Sequence, residues 1–355
     1  MMFAGSMGIE RFGPEDERRA DACFDIFLAC RAADDPDGPP MERRVFAGWL
    51  KTGWVGDPRE TWLLEDDGGI EGWYLLELPA RDNPHLGILD IAVRPDRRRH
   101  GFGTALLRHA GGRADANGRD LLTGNAFTGT AGEAFARAAG AAGGKTEAQR
   151  AMDIDALSAE RLASLRTEAE RASAGYSLVS WTGPTTEQYL DQVAALNGAG
   201  YDAPHDPSVQ EQVWDAARVR ATERRQRLQG VRAHTVTARH DASGELVGLT
   251  QIEIGQEYPE WGFQALTAVR RDHRGHRLGL RLKLAMLERL ARQEPQMKRI
   301  VTSNGETNGH MISINETLGY YLLGKPARSW ELPARQVKGI KGVEGAEGIK
   351  GAAQS

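Results

Sequence analysis

The sequence has little cysteine and no long apolar run. Cys23 and Cys30 are the only cysteines of the 355 residues, and no stretch of about 18 apolar residues occurs. On one predicted helix the two residues would lie about 10 Å apart, which is beyond the reach of a disulfide. A disulfide framework, a cysteine-based zinc cluster and a membrane-spanning helix are therefore excluded. Residues 1–8 lack the basic and apolar regions of a secretory signal, so we expect a cytoplasmic protein.

An excess of either charge is missing as well. The 49 acidic and 45 basic residues give a formal net charge of -4. A chain without a basic excess lacks an overall attraction to nucleic acid or to an anionic membrane, so we expect neither partner. With 40% hydrophobic and 26% charged residues the composition is that of a globular protein, and the length favours two domains.

What the sequence does contain is an internal repeat. Residues 72–78 (GWYLLEL) align with residues 248–254 (GLTQIEI) at an offset of 176, and the register continues without a gap. The matched pairs further along are Val93 and Val269, Asp96 and Asp272, Arg98 and Arg274, His100 and His276, Gly103 and Gly279, and Leu106 and Leu282. This single register indicates two copies of one α/β domain.

The repeat predicts the domain organisation. We predict an α/β (α+β) fold with two tandem domains, at residues 9–154 and 176–335. Residues 155–175 are predicted to form a helical linker, because 157–174 contain no Gly or Pro and many Ala, Glu and Arg. Residues 336–355 are predicted to be a disordered tail, because they are small or charged and include no aromatic residue. In each copy, strands joined by turn residues predict an antiparallel meander that runs into a further strand and a helix.

The loop between that last strand and the helix carries the chemistry in each copy. In copy one, a basic stretch with two glycines separates the strand from the helix. Backbone N–H groups of such a loop, with the positive end of the helix dipole, form an anion site suited to phosphate. Copy two has Gly275 and Gly279, with Arg277 in place of Gly101. Neither loop fits the glycine pattern of a Rossmann site or the G-x-x-x-x-G-K-[ST] pattern of a P-loop.

These loops resemble a known coenzyme loop. Residues 98–103 (RRHGFG) resemble the acyl-CoA pyrophosphate loop of the GNAT superfamily of N-acetyltransferases, whose pattern is [RQ]-x-x-G-x-[GA]. Residues 274–279 (RGHRLG) match it with one departure, Arg277 at the first glycine position. Residues 308–320 (NGHMISINETLGY) are similar to the segment that closes the family's domain. The tandem arrangement is similar to that of mycothiol synthase and other two-domain acetyltransferases.

The resemblance implies a fold and a coenzyme. Each domain would have a mixed, mostly antiparallel sheet with splayed central strands, flanked by helices. Acetyl-CoA would be the co-substrate, with no metal, and its pantetheine arm would lie between the splayed strands. A backbone N–H near Val93 or Val269 would stabilise the oxyanion. The positions that match the family's coenzyme site are Val93, Arg98, Arg99, His100, Gly101, Phe102, Gly103 and Thr104 in copy one, and Val269, Arg274, Gly275, His276, Arg277, Leu278, Gly279, Leu280 and Asn308 in copy two.

Candidate catalytic residues follow from the chemistry of acetyl transfer. Direct attack by an amine needs a base that takes the amine's proton. Glu77 and Glu253 occupy equivalent strand positions and are candidates, as is Asp90 on the splayed strand of copy one. The equal alternative for Glu253 is a solvated or ion-paired strand residue. The family's tyrosine that protonates the departing thiolate is replaced by Asn315 in copy two and by Ala136 in copy one.

Copy two is favoured as the active copy, by resemblance to two-domain relatives in which one copy is catalytic. Residues 197–214 would form its substrate-side loop, and His205 within it is either a base or a surface histidine. Tyr320 or Tyr321 would replace the missing acid only if its side chain turned toward the coenzyme; core packing or surface exposure is the alternative. The predicted function is acetyl transfer from acetyl-CoA to a primary amine of a small molecule, with Glu253 as base, by a monomer or homodimer. The alternative is an acyl-CoA-binding regulatory or structural protein with decayed catalytic centres.

Overall fold

The structure is a computed structural model that describes residues 8–53, 57–200, 206–306, 308–340 and 350–351. The chain divides into two compact units. Unit 1 combines Met1–Thr146 with Gly324–Ser355, and unit 2 is Glu147–Leu323.

The described elements follow the predicted alternation of strands and helices. The strands are β1 (Gly8–Phe12), β2 (Arg59–Asp66), β3 (Gly69–Glu77), β4 (Leu86–Val93), β5 (Leu121–Phe127), β6 (Ala142–Asp153), β7 (Tyr176–Thr182), β8 (Arg232–His240), β9 (Leu246–Ile254), β10 (Trp261–Val269), β11 (Arg299–Gly305), β12 (Tyr321–Leu322), β13 (Ala327–Pro333) and β14 (Lys350–Gly351). The helices are α1 (Glu17–Asp34), α2 (Arg43–Lys51), α3 (Phe102–Ala116), α4 (Ala131–Ala138), α5 (Ala159–Ala172), α6 (Leu190–Gly200), α7 (Ala216–Leu228), α8 (Leu278–Gln293), α9 (Gly309–Thr317) and α10 (Ala334–Val337).

Unit 1 is built on a mixed sheet. Its strand order is β14-β1-β2-β3-β4-β5-β13, followed by residues 142–146 of β6. Strands β1 to β4 are antiparallel, β4 and β5 are parallel, and β13 is antiparallel to β5. Alternate side chains face opposite sides of the sheet. Leu76 packs in one core with Leu106 of α3, and Leu75 packs in the other core with Phe24 of α1.

Unit 2 repeats this plan. Residues 147–153 of β6 begin the strand order, and β11-β10-β9-β8-β7 follow, with β12 paired to β6. Strands β7 to β10 are antiparallel, and β10 and β11 are parallel. Ile252 packs in one core with Leu282 of α8, and Leu249 packs in the other core with Leu196 of α6. The predicted α/β class and the mixed, mostly antiparallel sheet are confirmed in both units.

The parallel strands of each unit separate partway along their length. In unit 1 the pairing of β4 with β5 ends at Ile88, although β4 continues to Val93. In unit 2 the pairing of β10 with β11 ends at Phe263, although β10 continues to Val269. The predicted splayed central strands are therefore confirmed. The register of β10 also shifts between Gln264 and Leu266, which marks a β-bulge, whereas β4 pairs with β3 without a shift.

The last strand of each sheet comes from a part of the chain that the repeat does not predict. β6 lies within the predicted first copy, 9–154, but its residues 147–153 pair with β11 of unit 2. The strand beside β5 in unit 1 is β13, from the C-terminal part of the chain. The two units therefore differ from the predicted ranges 9–154 and 176–335. A repeat shows which segments are alike, but not which sheet edge a terminal strand joins.

The predicted linker and tail also have definite places. α5 lies within the predicted linker 155–175, and its Leu165 and Ala169 pack in the core of unit 2. The predicted disordered tail begins at residue 336, yet Val337 of α10 is 1% exposed and packs against Gly111 of α3. Its burial in an apolar contact orders the first residues of that tail. Residues 341–349 and 352–355 lie outside the described part of the chain.

Across the described residues, no helix has the length and apolar character needed to cross a membrane.

Candidate active site

The loop between β10 and α8 presents backbone N–H groups to an anion. A short 3-10 turn at Arg271–His273 leads into it, and α8 begins at Leu278. Gly275 (φ 89°) and Arg277 (φ 53°) have left-handed backbone conformations that turn the chain sharply. No side chain of the described residues caps the N-terminus of α8. The first N–H groups and the positive dipole end of this helix are therefore available to an anion.

A cavity of about 740 Å³ opens beside this loop in unit 2. Its walls come from the end of β10, the loop, the first turn of α8, the end of α6 and one face of α9. The predicted coenzyme residues that line it are Val269, Arg274, Gly275, Arg277, Leu278, Gly279, Leu280 and Asn308. The remaining copy-two residue, His276, is exposed and packs its ring against Tyr176. Coenzyme binding by these residues stays a prediction, but the structure brings eight of them to one cavity.

Sequence reasoning missed one wall of the cavity. The missed lining residues include Thr267 and Ala268 of β10, His273 of the loop, and His310, Ser313, Ile314 and Thr317 of α9. The four α9 residues recur every three or four positions, so they share one helix face. That spacing is the signal that could have identified them. Asn308 begins this helix, and its Oδ1 accepts a hydrogen bond from the Met311 N–H at 3.3 Å.

The separated part of β10 leads away from the loop as an open strand edge. Residues 264–269 have no Cα partner on β11. An extended ligand that carries amide groups can hydrogen-bond to such an edge as an added strand. From Val269 back to the bulge at Ala265 the edge measures about 13 Å at 3.3 Å per residue. We call this edge, with the gap beside it, the slot.

Basic side chains surround the cavity. Arg274 Nε donates a hydrogen bond to the carbonyl oxygen of Val269, the last residue of β10, at 3.1 Å. Arg277 pairs with Glu168 at 2.9 Å, and both side chains are exposed. His273 Nδ1 lies 2.9 Å from the hydroxyl oxygen of Tyr176. An exposed ion pair contributes little to stability, so a phosphate can take the place of the carboxylate at Arg277.

The loop of copy one has the same backbone but paired charges. Arg99 (φ 70°) and Gly101 (φ 87°) occupy the two left-handed positions, so arginine and glycine are exchanged relative to copy two. Arg98 forms bidentate hydrogen bonds to Asp34 at 2.8 and 2.7 Å. The carboxylate therefore already neutralises the arginine that was predicted to hold a phosphate.

A hydrophobic side chain lies beside the first turn of the helix in both copies, and in copy two it is Ile314, 3.2 Å from where a Cβ of Gly279 would lie. Phe135 of α4 packs over Gly103, where a Cβ would lie 3.4 Å from its ring. The cavity between β4 and β5 has a volume of about 130 Å³ and is lined mostly by apolar residues such as Leu89 and Leu107. The predicted coenzyme residues of copy one do not line it. The large cavity therefore lies in copy two, the copy that was predicted to be active.

The other predicted residues of copy one make contacts within unit 1. The ring of His100 stacks on that of Phe102 at 6.1 Å, and Phe102 is buried. The Val93 carbonyl oxygen accepts a hydrogen bond from the Cys30 thiol at 3.3 Å. Thr104 is partly buried in the first turn of α3. These contacts are structural. The N-terminus of α3 has no side-chain cap among the described residues, as in α8, so the two loops differ mainly in the pairing of Arg98 with Asp34.

Comparison with known proteins identifies the domain. The sequence profile of the acetyltransferase (GNAT) family matches residues 20–123. A solved structure of a tandem GNAT protein from the clavulanic acid biosynthesis pathway is 27% identical, covers 93% of this chain and 99% of that chain, and has a TM-score of 0.76. The chain carries a GNAT domain in a tandem GNAT arrangement. GNAT proteins are generally N-acetyltransferases that use acetyl-CoA.

Other solved structures share the fold at lower identity. A GCN5-related N-acetyltransferase from Sphaerobacter thermophilus is 14% identical with a TM-score of 0.66, covering 92% of this chain and 96% of that chain. A glucosamine N-acetyltransferase region of a fungal multi-domain β-N-acetylglucosaminidase is 13% identical with a TM-score of 0.65, covering 93% of this chain and 38% of that chain. No curated protein matches the sequence. These likenesses confirm the tandem GNAT fold and leave the acceptor open.

Glu253, the candidate base of the second GNAT copy, is an ion-paired strand residue. Its Oε1 accepts hydrogen bonds from Arg225 and Gln226 of α7, each at 2.8 Å. It does not line the cavity. Its Cα partner on β10 is Phe263, the last residue before β10 leaves β11. Glu253 is thus ion-paired, as the alternative interpretation of the sequence expected. Its position on β9 lies beside the end of the slot that is farther from the loop.

The candidate carboxylates of the first GNAT copy form a cluster. Glu77 accepts a hydrogen bond from Arg59 Nε at 2.9 Å. The pKa of Asp90 is raised to about 6, chiefly by burial; the Glu77 charge raises it further and the Arg59 charge lowers it. A carboxyl group with this pKa can exchange a proton near neutral pH. The cavity described in copy one, between β4 and β5, has a volume of only about 130 Å³.

The residues considered for the acid role do not line the cavity. Asn315 is buried, and its Nδ2 donates to Asn304 Oδ1 at 2.7 Å. Tyr320 packs in the core of unit 2, where burial raises the pKa of its hydroxyl. Tyr321 is exposed and donates to Asp153 at 3.1 Å. Tyr320 is therefore a core residue and Tyr321 a surface residue, which are the two alternatives considered from the sequence.

Two further predictions concern the substrate loop and metals. His205 lies outside the described residues, as do the other positions of 201–205. No group of three or more His, Cys, Asp or Glu side chains in the described part of the chain is placed to hold a metal ion.

Proposed function

We propose that the protein transfers an acetyl group from acetyl-CoA to a primary amine of a small molecule, in the second GNAT copy. The observation that carries this proposal is the 740 Å³ cavity in unit 2, which joins an uncapped helix N-terminus to an open strand edge. Phosphate groups fit the first feature and an amide-bearing arm fits the second. Copy one also has an uncapped helix N-terminus and an unpaired edge on β4, but its Arg98 is paired with Asp34 and the cavity between β4 and β5 is only about 130 Å³.

The residues of copy two have separate tasks in this proposal. The N–H groups at Gly275 to Gly279 and the guanidinium groups of Arg274 and Arg277 hold the pyrophosphate. The slot orients the pantetheine arm by hydrogen bonds from the β10 backbone. Acetyl-CoA supplies an activated thioester, whose carbonyl carbon the amine attacks. A backbone N–H at the bulge around Ala265 stabilises the charge that develops on the carbonyl oxygen.

Glu253 is the proposed base for the acceptor amine. Both of its hydrogen bonds within the described residues end on Oε1, so Oε2 can take a proton directly or through a water. The hydrogen bond from Arg225 fixes the position of the carboxylate. Its strand position beside Phe263 supports this role, because the slot ends there.

Calorimetry with acetyl-CoA tests the proposal on a matched pair of variants. Gly279→Glu and Gly103→Glu each place a carboxylate at the equivalent position of one loop. We expect one site per chain, lost in Gly279→Glu and kept in Gly103→Glu. Loss only in Gly103→Glu would move the site to copy one, with Glu77 and Asp90. Absence of binding in the wild-type protein would refute the acetyltransferase proposal.

Turnover distinguishes the enzyme from a second candidate function, an acyl-CoA-binding regulatory or structural protein. The ion pair of Glu253 and the absence of a tyrosine from the described cavity wall favour that candidate. Thiol release from acetyl-CoA should be measured with a set of primary amines. We expect Glu253→Gln to abolish it and Glu77→Gln, the equivalent change in copy one, to preserve it. Binding without release for any amine would favour the binding protein.

The proposal extends to partners. The slight negative charge supports a small-molecule acceptor and neither a nucleic acid nor a membrane partner. A monomer or homodimer remains the proposed working form.

A further inference from the structure

Lys283 of α8 is a buried cation that has no carboxylate partner among the residues that the structure describes. It lies one helical turn beyond Gly279, on the same face of α8, and it is 3% exposed. Its Nζ donates to Gln264 Oε1 at 3.2 Å and lies 5.1 Å from the ring centroid of Tyr320. No ion pair to Lys283 exists within the described residues. Burial alone lowers the pKa of its ammonium to about 7.

Packing does not require a lysine at this position. The offset of 176 places Leu107 at the equivalent position of α3, where it is 4% exposed and lines the apolar cavity of unit 1. A leucine therefore fills this position in the same fold. A buried ammonium without a counter-charge is costly, whereas a hydrophobic residue there is favourable. We therefore expect the lysine to destabilise unit 2, and its contact with Gln264 calls for a functional reason.

Gln264 ties together the backbone of the bulge. Its Nε2 donates to the Gln251 carbonyl oxygen at 2.8 Å and to the Leu266 carbonyl oxygen at 3.0 Å. Leu266 is the residue at which β10 regains its register with β9. The strand register places Leu89 at the equivalent position of copy one, where β4 has no bulge. The amide side chain and the bulge therefore occur together in copy two.

The amide of Gln264 also reaches the cavity wall. Its Nε2 lies 2.9 Å from Thr250 Oγ1, which lies 2.8 Å from Thr267 Oγ1. Thr267 lines the cavity. Because Lys283 can only donate when protonated, it directs Oε1 of Gln264 toward itself and Nε2 toward the bulge. Lys283 thereby determines which way this amide points.

We propose that Lys283 is a positioning residue for acyl transfer, which acts through Gln264 to hold the β10 bulge in the geometry that binds the acyl carbonyl. This inference rests on the proposed function, since the bulge matters only if the acyl group reaches it. Lys283 does not line the cavity, so it acts on the backbone and not on the coenzyme. Removing it should lower kcat more than it weakens coenzyme binding.

A double-mutant cycle tests this proposal. Lys283→Met removes the donor, Gln264→Leu removes the amide, and the double variant removes both. We expect each single variant and the double variant to lose about tenfold in kcat, with KM for acetyl-CoA within about twofold of wild type. Equal losses in all three would show that the two residues act as one unit. Lys298→Met, which changes an exposed lysine of the same unit, is the control.

Hydrogen exchange gives a readout that does not depend on turnover. Amides of residues 261–269 should exchange faster in Lys283→Met and Gln264→Leu, but not in Lys298→Met. An unchanged kcat in Lys283→Met, or losses that multiply in the double variant, would refute the proposal. If the wild-type protein binds acetyl-CoA without turnover, the proposed function fails, and unchanged exchange at 261–269 would then refute the positioning role as well.

Discussion

The buried ammonium of Lys283 makes a prediction about stability that is independent of any activity. Replacing it with methionine removes a charge from a site without a counter-ion and fills a similar volume with an apolar chain. The pKa of this lysine is lowered from 10.5 to about 7. This lowering means that burial in the folded protein disfavours the charged form, relative to the neutral form, by about 4 to 5 kcal/mol more than water does. Lys283→Met should therefore stabilise the protein at neutral pH.

The sign of the pH dependence follows from proton binding. Between pH 7 and pH 10 the unfolded chain keeps its proton on this lysine, whereas the folded chain loses it. The free energy of unfolding of the wild-type protein therefore rises with pH in this range, by up to about 1.4 kcal/mol per pH unit from this group. Below pH 7 both states are protonated and the full penalty is present. The advantage of Lys283→Met should thus be largest near neutral pH and shrink by about 3 kcal/mol by about pH 9.5.

Urea unfolding followed by circular dichroism measures this difference. Wild type, Lys283→Met and Lys298→Met should be compared at about pH 7 and about pH 9.5, since other titrating groups cancel between variants at one pH. Lys298→Met, at an exposed site, should follow the wild-type protein at both. If Lys283→Met were less stable than wild type at neutral pH, or if the gap did not change with pH, the lysine would not be a buried, destabilising cation.

Three other changes test features of the two units. Arg277→Gly should raise the free energy of unfolding by up to about 1 kcal/mol, because glycine adopts a left-handed backbone without strain. Gly101→Arg, at the equivalent position, should lower it by about 1 kcal/mol. A lower melting temperature in Arg277→Gly would contradict this. Ending the chain after Leu323 removes β13 and uncovers β5, so limited proteolysis should digest residues 8–146 faster than 147–323, and equal resistance would argue against the pairing. Asp90→Asn should be about 2 to 3 kcal/mol more stable than wild type at about pH 8. The folded pKa of Asp90 is raised to about 6, so its favourable contribution is present at low pH and lost as pH rises through that value; unfolding midpoints that stay parallel between about pH 4 and pH 8 would exclude this.

Much of the fold could be predicted from the sequence, because local patterns determine it. Residues 248–254, one arm of the repeat, fall within β9, and the turn residues predict the antiparallel meander. The position of the glycine- and arginine-bearing loop between β10 and α8 could be predicted, because a strand signal precedes it and a helix signal follows it. The wall from α9 was missed although His310, Ser313, Ile314 and Thr317 have helical spacing, since a face of mixed small and polar residues is not distinctive.

The rest depends on contacts between distant parts of the chain. Arg98 is neutralised by Asp34, and Glu253 is paired with Arg225 from another element. Neither pairing can be recognised from the residues nearby in the sequence. The loop of copy one therefore matched the family pattern better than the loop of copy two, although its Arg98 is already paired. Phe135 over Gly103 is a contact of the same kind. The difference in cavity volume between the two copies became visible only once these side chains were placed.

The exchange of β6 and β13 has a consequence for how the protein is made. The sheet of unit 1 needs Leu332 opposite Leu122, and this partner is translated two hundred residues later. While the ribosome moves through copy two, β5 has an edge that no later strand has yet covered. All described strands of unit 2 have been translated by the time Leu322 emerges. Unit 2 can therefore finish folding first, although most of unit 1 precedes it in the sequence. Synthesis from the N-terminus would thus complete the second copy before the first, and β13, translated after every described strand of unit 2, would cover the edge of β5 in the older half of the chain.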